Sequence, residues 1–111
     1  MNNYCVAGNV CGEVTFKTLP SGKEAAEFSV AVNKKFGEKE ETSFFTVKCY
    51  GFAAGIAHTI GKGDFVLIAG ELKQERWDDK DSGAKRSKVV LIAFNVAKMS
   101  GGKKTAEAEP F

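Results

Sequence analysis

Apolar and polar residues change period several times along this chain, and each change marks an element. Residues 4–10 form an apolar run closed by Gly12, and residues 14–19 continue extended. Leu19, Pro20, Ser21, Gly22 and Lys23 have the composition of a turn. Residues 26–36 then alternate, with Phe28, Val30 and Val32 on one side and Ser29, Ala31 and Asn33 on the other. Period two predicts a half-buried strand. Residues 37–41, rich in Gly, Glu and Lys, read as a charged loop, and residues 43–50 as a third strand.

From residue 51 to residue 60 the period lengthens. Phe52, Ile56 and Ile60 recur at helical spacing with Ala53 and Ala57 beside them, which predicts a short amphipathic helix stopped by Gly61 and Gly63. Residues 64–71 return to alternation, but Phe65, Leu67 and Ala69 and the intervening Val66 and Ile68 are all apolar. That pattern predicts a strand covered on both faces, extended through residues 72–77. Residues 78–86 form a polar hairpin loop. Residues 87–99 read as a fifth strand, with Val89, Leu91, Ala93, Asn95 and Ala97 on one side. Beyond residue 99 the composition shifts to Gly, Lys, Ala and Glu, and residues 100–111 read as a disordered tail.

Three strands, a helix and two more strands make an all-β chain. The order predicts an OB-fold, a five-stranded Greek-key barrel with one short helix between strands three and four, over residues 1–99. The long loop before the fifth strand matches that fold. The fold alone does not assign a function.

Composition narrows the classes. At 111 residues the chain is one domain, with 43% apolar and 27% charged residues and a net charge of +2. A charge this small excludes a generally basic coat, so any nucleic-acid surface has to be local. No run is long enough to span a membrane, and the N-terminus has no basic region of the secretory kind. Cys5, Cys11 and Cys49 are an odd set with no zinc spacing, which fits a reducing cytoplasm and structural thiols. His58 is the single histidine, and no phosphate-cradling glycine motif is present, so the sequence offers no catalytic site, metal site or cofactor site.

One pattern does carry chemistry. Phe44, Phe45 and Tyr50 share a strand-like run, Phe36 stands beside Lys34 and Lys35, and Trp77 stands next to Arg76. Aromatics interleaved with cations on strands suit a surface where unpaired bases stack and phosphates meet Lys or Arg. A hydrophobic core with a charged exterior would give the same pattern. On this reading the candidate phosphate contacts are Lys34, Lys35, Lys48, Lys73, Arg76, Lys85, Arg86 and Lys88.

Several ordered blocks between Asn2 and Met99 carry a resemblance: NYCVAGNV, LPSGKEAAEFSVAVN, SFFTVKCYG, GKGDFVLIAGELKQERWDD and NVAKM. The chain resembles the bacterial single-stranded DNA-binding proteins. The resemblance implies an OB-fold, cytoplasmic and nucleoid-associated work in DNA replication, recombination and repair, and a homotetramer, with a dimer as the other possibility. It places the family's base-stacking aromatics at Phe36, Phe44, Tyr50 and Trp77. If the chain assembles, contact is expected through the first strand, residues 4–10, read as an unpaired edge, and through the exposed side of the barrel.

The departures from the family are specific. Phe45 replaces a residue that is polar in some members at a subunit boundary, and the helix region is about one residue shorter than in well-known members. Family members dock an acidic tip ending in Pro-Phe on replication and repair proteins. Here only Glu107 and Glu109 precede Pro110 and Phe111, with Lys103 and Lys104 opposing them. A module like primosomal replication protein n, a short paralogue used in competence or by a phage, and an RNA- or oligosaccharide-binding OB domain are the other readings the sequence leaves open.

Overall fold

The computed structural model describes residues 2–100. The tail residues Glu107, Glu109, Pro110 and Phe111 lie outside the described residues. The elements are β1 (Tyr4–Val10), β2 (Thr15–Thr18), β3 (Glu24–Phe36), β4 (Lys39–Tyr50), α1 (Phe52–Ala57), β5 (Phe65–Asp78) and β6 (Lys85–Ser100).

The sheet runs β1-β5-β6-β4-β3-β2 and closes through a β1–β3 pairing. β1 and β2 are two halves of one barrel strand. Both pair antiparallel with β3, at Val10↔Val30 and at Thr15↔Glu27, so residues 11–14 stand against only residues 28–29. The surplus bends the strand, as bulges do, and lets one strand serve two parts of the barrel wall. The other closure is the short parallel pairing of β4 with β6, from Val47↔Leu91 to Cys49↔Ala93. The fold is therefore a five-stranded OB barrel with one short helix between its third and fourth strands. β1 is not a wholly open edge. Asn9 pairs on both sides and Val10 with β3, while the preceding residues of β1 pair with β5 alone.

The barrel interior holds Val10, Phe28, Val30, Val47, Cys49, Val66, Ile68, Leu91 and Val96. β-Branched side chains dominate it, as a pleated and tightly curved wall favours. Cys49 is one of these fillers; burial pushes its thiol up to about 11, which leaves it protonated and unreactive at neutral pH. No helix among the described residues is long and apolar enough to cross a membrane.

Four further expectations from the sequence need correction. The helix turns Ala53, Ala54 and Ala57 inward, followed by Ile60, while Phe52 is 81% exposed. Small alanines let the helix lie close against β3, β4 and β6, which a row of large residues would prevent. β5 is covered on one face only: Val66, Ile68 and Gly70 are buried, and Phe65, Leu67 and Ala69 are not. In β6 the inward set changes parity. Gly70 pairs with Ala93 and Ala69 with Asn95, so Phe94 is the extra residue of a bulge; Leu91 and Ala93 point inward before it and Val96 after it. The charged segment 37–41 is mostly strand. Phe36 pairs with Lys39, leaving only Gly37 and Glu38 in the turn, and Gly37 takes a φ of 60° that suits the first turn position. Lys35 then faces Glu40 and Lys34 faces Glu41, opposite charges that favour the paired register.

Candidate nucleic-acid interface

Alternation along each strand and the register between strands fix which side chains share a face. In β4, Val47 and Cys49 point into the barrel, so Phe44, Lys48 and Tyr50 point out. The outward set continues through Ile92 of β6, which faces Lys48, to Glu71 of β5, which faces Ile92. From there it climbs the β5–β6 ribbon as Lys73, Glu75 and Trp77, with Lys88 and Arg86 opposite Glu75 and Trp77. Lys35 also lies on this outer face, through its partner Glu40.

Thus Phe44, Tyr50, Trp77, Lys35, Lys48, Lys73, Arg86 and Lys88 belong to one surface. Phe36, Lys34, Arg76 and Lys85 do not join it. Phe36 and Lys34 occupy the other face of the β3–β4 hairpin, where the Lys34 ammonium sits 4.8 Å from the Phe36 ring centroid. Arg76 and Lys85 project from the opposite face of the β5–β6 ribbon. Arg76 donates to Gln74 Oε1 at 2.8 Å, and Lys85 lies 3.7 Å from Asp78.

The aromatics are not core residues. Phe44 is 66% exposed, Phe36 53%, Trp77 48% and Tyr50 38%. Aromatic surface left this open makes no contribution to the barrel interior and has to be explained by what it meets.

Several of the cations have acidic partners. Lys48 donates to both carboxylate oxygens of Glu75, at 2.8 and 3.1 Å, with both side chains largely covered. That hydrogen bond, ahead of the opposing desolvation, raises Lys48 above its ordinary 10.5. The same bond lowers Glu75 below its ordinary 4.5, with smaller help from Lys88 and Lys73. The raised Lys48 contributes stability that is full below its ordinary value and lost as pH rises through a still higher one. The lowered Glu75 contributes stability that is present above 4.5 and lost as pH falls through its lowered value. The pair is therefore constant through the neutral range. Arg86 contacts Asp79 through Nε at 3.1 Å and Nη2 at 3.0 Å. The Asp79 carboxyl is held below its ordinary range first by the Asp81 backbone N–H and then by Arg86. Residues 79–84 are thereby folded back on themselves, with the Ala84 carbonyl accepting from the Asp79 N–H at 2.8 Å.

Residues 1–99 match the single-strand binding protein family. The chain belongs to that family. Among its relatives in the family, the single-stranded DNA-binding protein of Aquifex aeolicus (strain VF5) is 40% identical over 102 residues, covering 86% of this chain and 68% of that one. The Helicobacter hepaticus protein of the same description is 34% identical, covering 99% of this chain and 67% of its own. Single-stranded DNA-binding protein 1 of Synechocystis is 31% identical, with 97% and 91% covered. A solved structure, the Plasmodium falciparum SSB complex with ssDNA, superposes with a TM-score of 0.80 at 21% identity over 90% of this chain and 96% of that one. That likeness is one of fold.

Three residues of this family member's outer surface were not legible as site residues. Glu75 holds Lys48, but nothing in the sequence links positions so far apart. Lys17 of β2 faces Ala25, whose other neighbour is Tyr50, a row visible only from the register. Phe52 fits the apolar stripe of an amphipathic helix in sequence, whereas it stands in solvent just past Tyr50.

Proposed function

We propose that this chain binds single-stranded DNA without reading its sequence, covering strands exposed in replication, recombination and repair. The observation that carries the reading is the outer face itself. Phe44, Tyr50 and Trp77 are open to solvent on the same side of the sheet as Lys35, Lys73, Lys88 and Arg86. Every base has a π face, so stacking on such platforms tolerates any sequence, and nearby cations offset the phosphates. Duplex DNA keeps its bases stacked and out of reach of these rings. No chemical step is required.

Trp77 is the single tryptophan, so its emission reports directly on this surface. Oligo-dT is expected to quench it to saturation, and duplex DNA of equal length to leave it nearly unchanged. Affinity should fall with salt, each phosphate contact adding about 0.7 to the log–log slope. Unchanged emission at saturating oligo-dT, with binding absent by anisotropy, overturns the reading.

The Lys48–Glu75 pair makes a second expectation. Glu75→Gln removes the carboxylate that neutralises Lys48 and releases a cation onto the outer face. Binding of oligo-dT should tighten and the salt slope should rise by about 0.7. An unchanged slope would mean that Lys48 stays out of reach of phosphate even when unpaired.

A further inference from the structure

Beside Tyr50 the outer face continues onto β3 and β2, where it sinks into a hollow of about 340 Å³. Two cross-strand rows build it. One is Lys17, Ala25 and Tyr50; the next is Thr15, Glu27 and Lys48. Neighbouring strands are about 4.8 Å apart, so Lys17 and Tyr50 stand roughly 10 Å apart with only the Ala25 methyl between them. The small residue in the middle is what makes the surface concave.

The hollow carries charges of both signs in a fixed order. Lys17 lies at the β2 side and has no acidic partner within salt-bridge distance among the described residues. Glu27 is exposed and likewise makes no salt bridge among the described residues; it lies near enough to Lys48, the cation in its row, to help raise it, but the Lys48 ammonium is bonded to Glu75. A carboxylate with no hydrogen-bonded cation of its own, on a surface meant for a polyanion, is unfavourable unless something other than phosphate comes to it.

We propose that this hollow is a nucleotide subsite continuing the single-strand track past Tyr50, and that Glu27 gives it a preference for cytosine over thymine. The proposal rests on the DNA-binding reading above. A base resting against Tyr50 would lie over Ala25 with its phosphate at Lys17 and its edge toward Glu27. The N4 amino group of cytosine donates to a carboxylate, whereas thymine presents the O4 acceptor at the same place. Phosphate stays on the Lys17 side because Glu27 repels it. The protein would then be indifferent to sequence at its open platforms and mildly selective at one position.

The test compares oligo-dC with oligo-dT of equal length, two pyrimidine strands, by anisotropy at one salt concentration. The readout is the ratio of their dissociation constants in the unmodified protein, in Glu27→Ala and in Glu27→Gln. Removing the carboxylate should shift that ratio toward thymine by about threefold, the size of one partly solvated hydrogen bond. Gln should do the same while keeping the side chain's length, since its amide turns to suit either base. Lys17→Ala should lower the salt slope by about 0.7 for both strands. Both residues are exposed, so the variants should keep the fold. A ratio unmoved in Glu27→Ala overturns the preference, and a slope unmoved in Lys17→Ala overturns the phosphate placement. If the unmodified protein binds neither strand, the DNA-binding reading itself fails; if it binds both and the variants behave like it, only the subsite fails.

Discussion

Replacing Phe44 and Trp77 together by alanine is expected to weaken binding of oligo-dT by about 2–6 kcal/mol, the sum of about 1–3 kcal/mol for each lost stack. The two rings lie on different strands with no shared partner, so their losses should add. Neither supports the barrel: both are exposed, and the core cluster is built without them. Thermal unfolding should therefore move little, and the salt slope should hold, because no cation is removed. Anisotropy with a labelled oligonucleotide separates the outcomes, since the double variant has lost its fluorescent probe. An affinity within threefold of the unmodified protein would show that bases pass elsewhere.

Gly70→Ala is expected to destabilise the fold more than alanine at any other described glycine. A Cβ at Gly70 would run into the Ile92 carbonyl oxygen and lie 2.9 Å from Ala93 Cα, both backbone atoms of the paired strand. Neither moves without opening the β5–β6 ladder beside the Phe94 bulge. Overpacking a well-packed core costs about 1–3 kcal/mol, and here rigid backbone rather than side chains must yield, so a loss above about 3 kcal/mol is expected. Gly61→Ala is the control, because an added Cβ there meets nothing within 4 Å. Urea titration of both variants checks the contrast, and equal midpoints would refute it.

Much of the fold was legible because period-two runs and one helical run survive in the structure nearly in place. What was lost follows from features that alternation cannot encode. The Phe94 bulge switches parity in mid-strand, so Leu91 and Asn95 look equivalent in sequence and are not. Glu40 and Glu41 look like loop residues until Lys35 and Lys34 are seen opposite them. The aromatics of the site were visible as a set. Their faces were not: Phe36 and Trp77 resemble each other in sequence, each beside cations, yet only Trp77 joins Phe44 on the outer surface. The pairing of Lys48 with Glu75 depends on where β5 passes β4 across the barrel wall, which no local pattern reports.

The two long hairpins outlast the barrel that bears them. β3 and β4 stay paired out to Phe36 and Lys39, and β5 and β6 out to Asp78 and Lys85, well beyond the last buried side chains of those strands. Mechanically these are cantilevers: ladder hydrogen bonds stiffen them along their length, and among the described residues no buried side chain of these strands lies in the distal arms. Phe36 rides near the tip of one and Trp77 near the tip of the other. On the proposed reading a ring mounted as Trp77 is would tilt to meet bases at the spacing and angle a strand brings, whereas Phe36 faces away from that track. The compliance that indifference to sequence demands is thus confined to the arms.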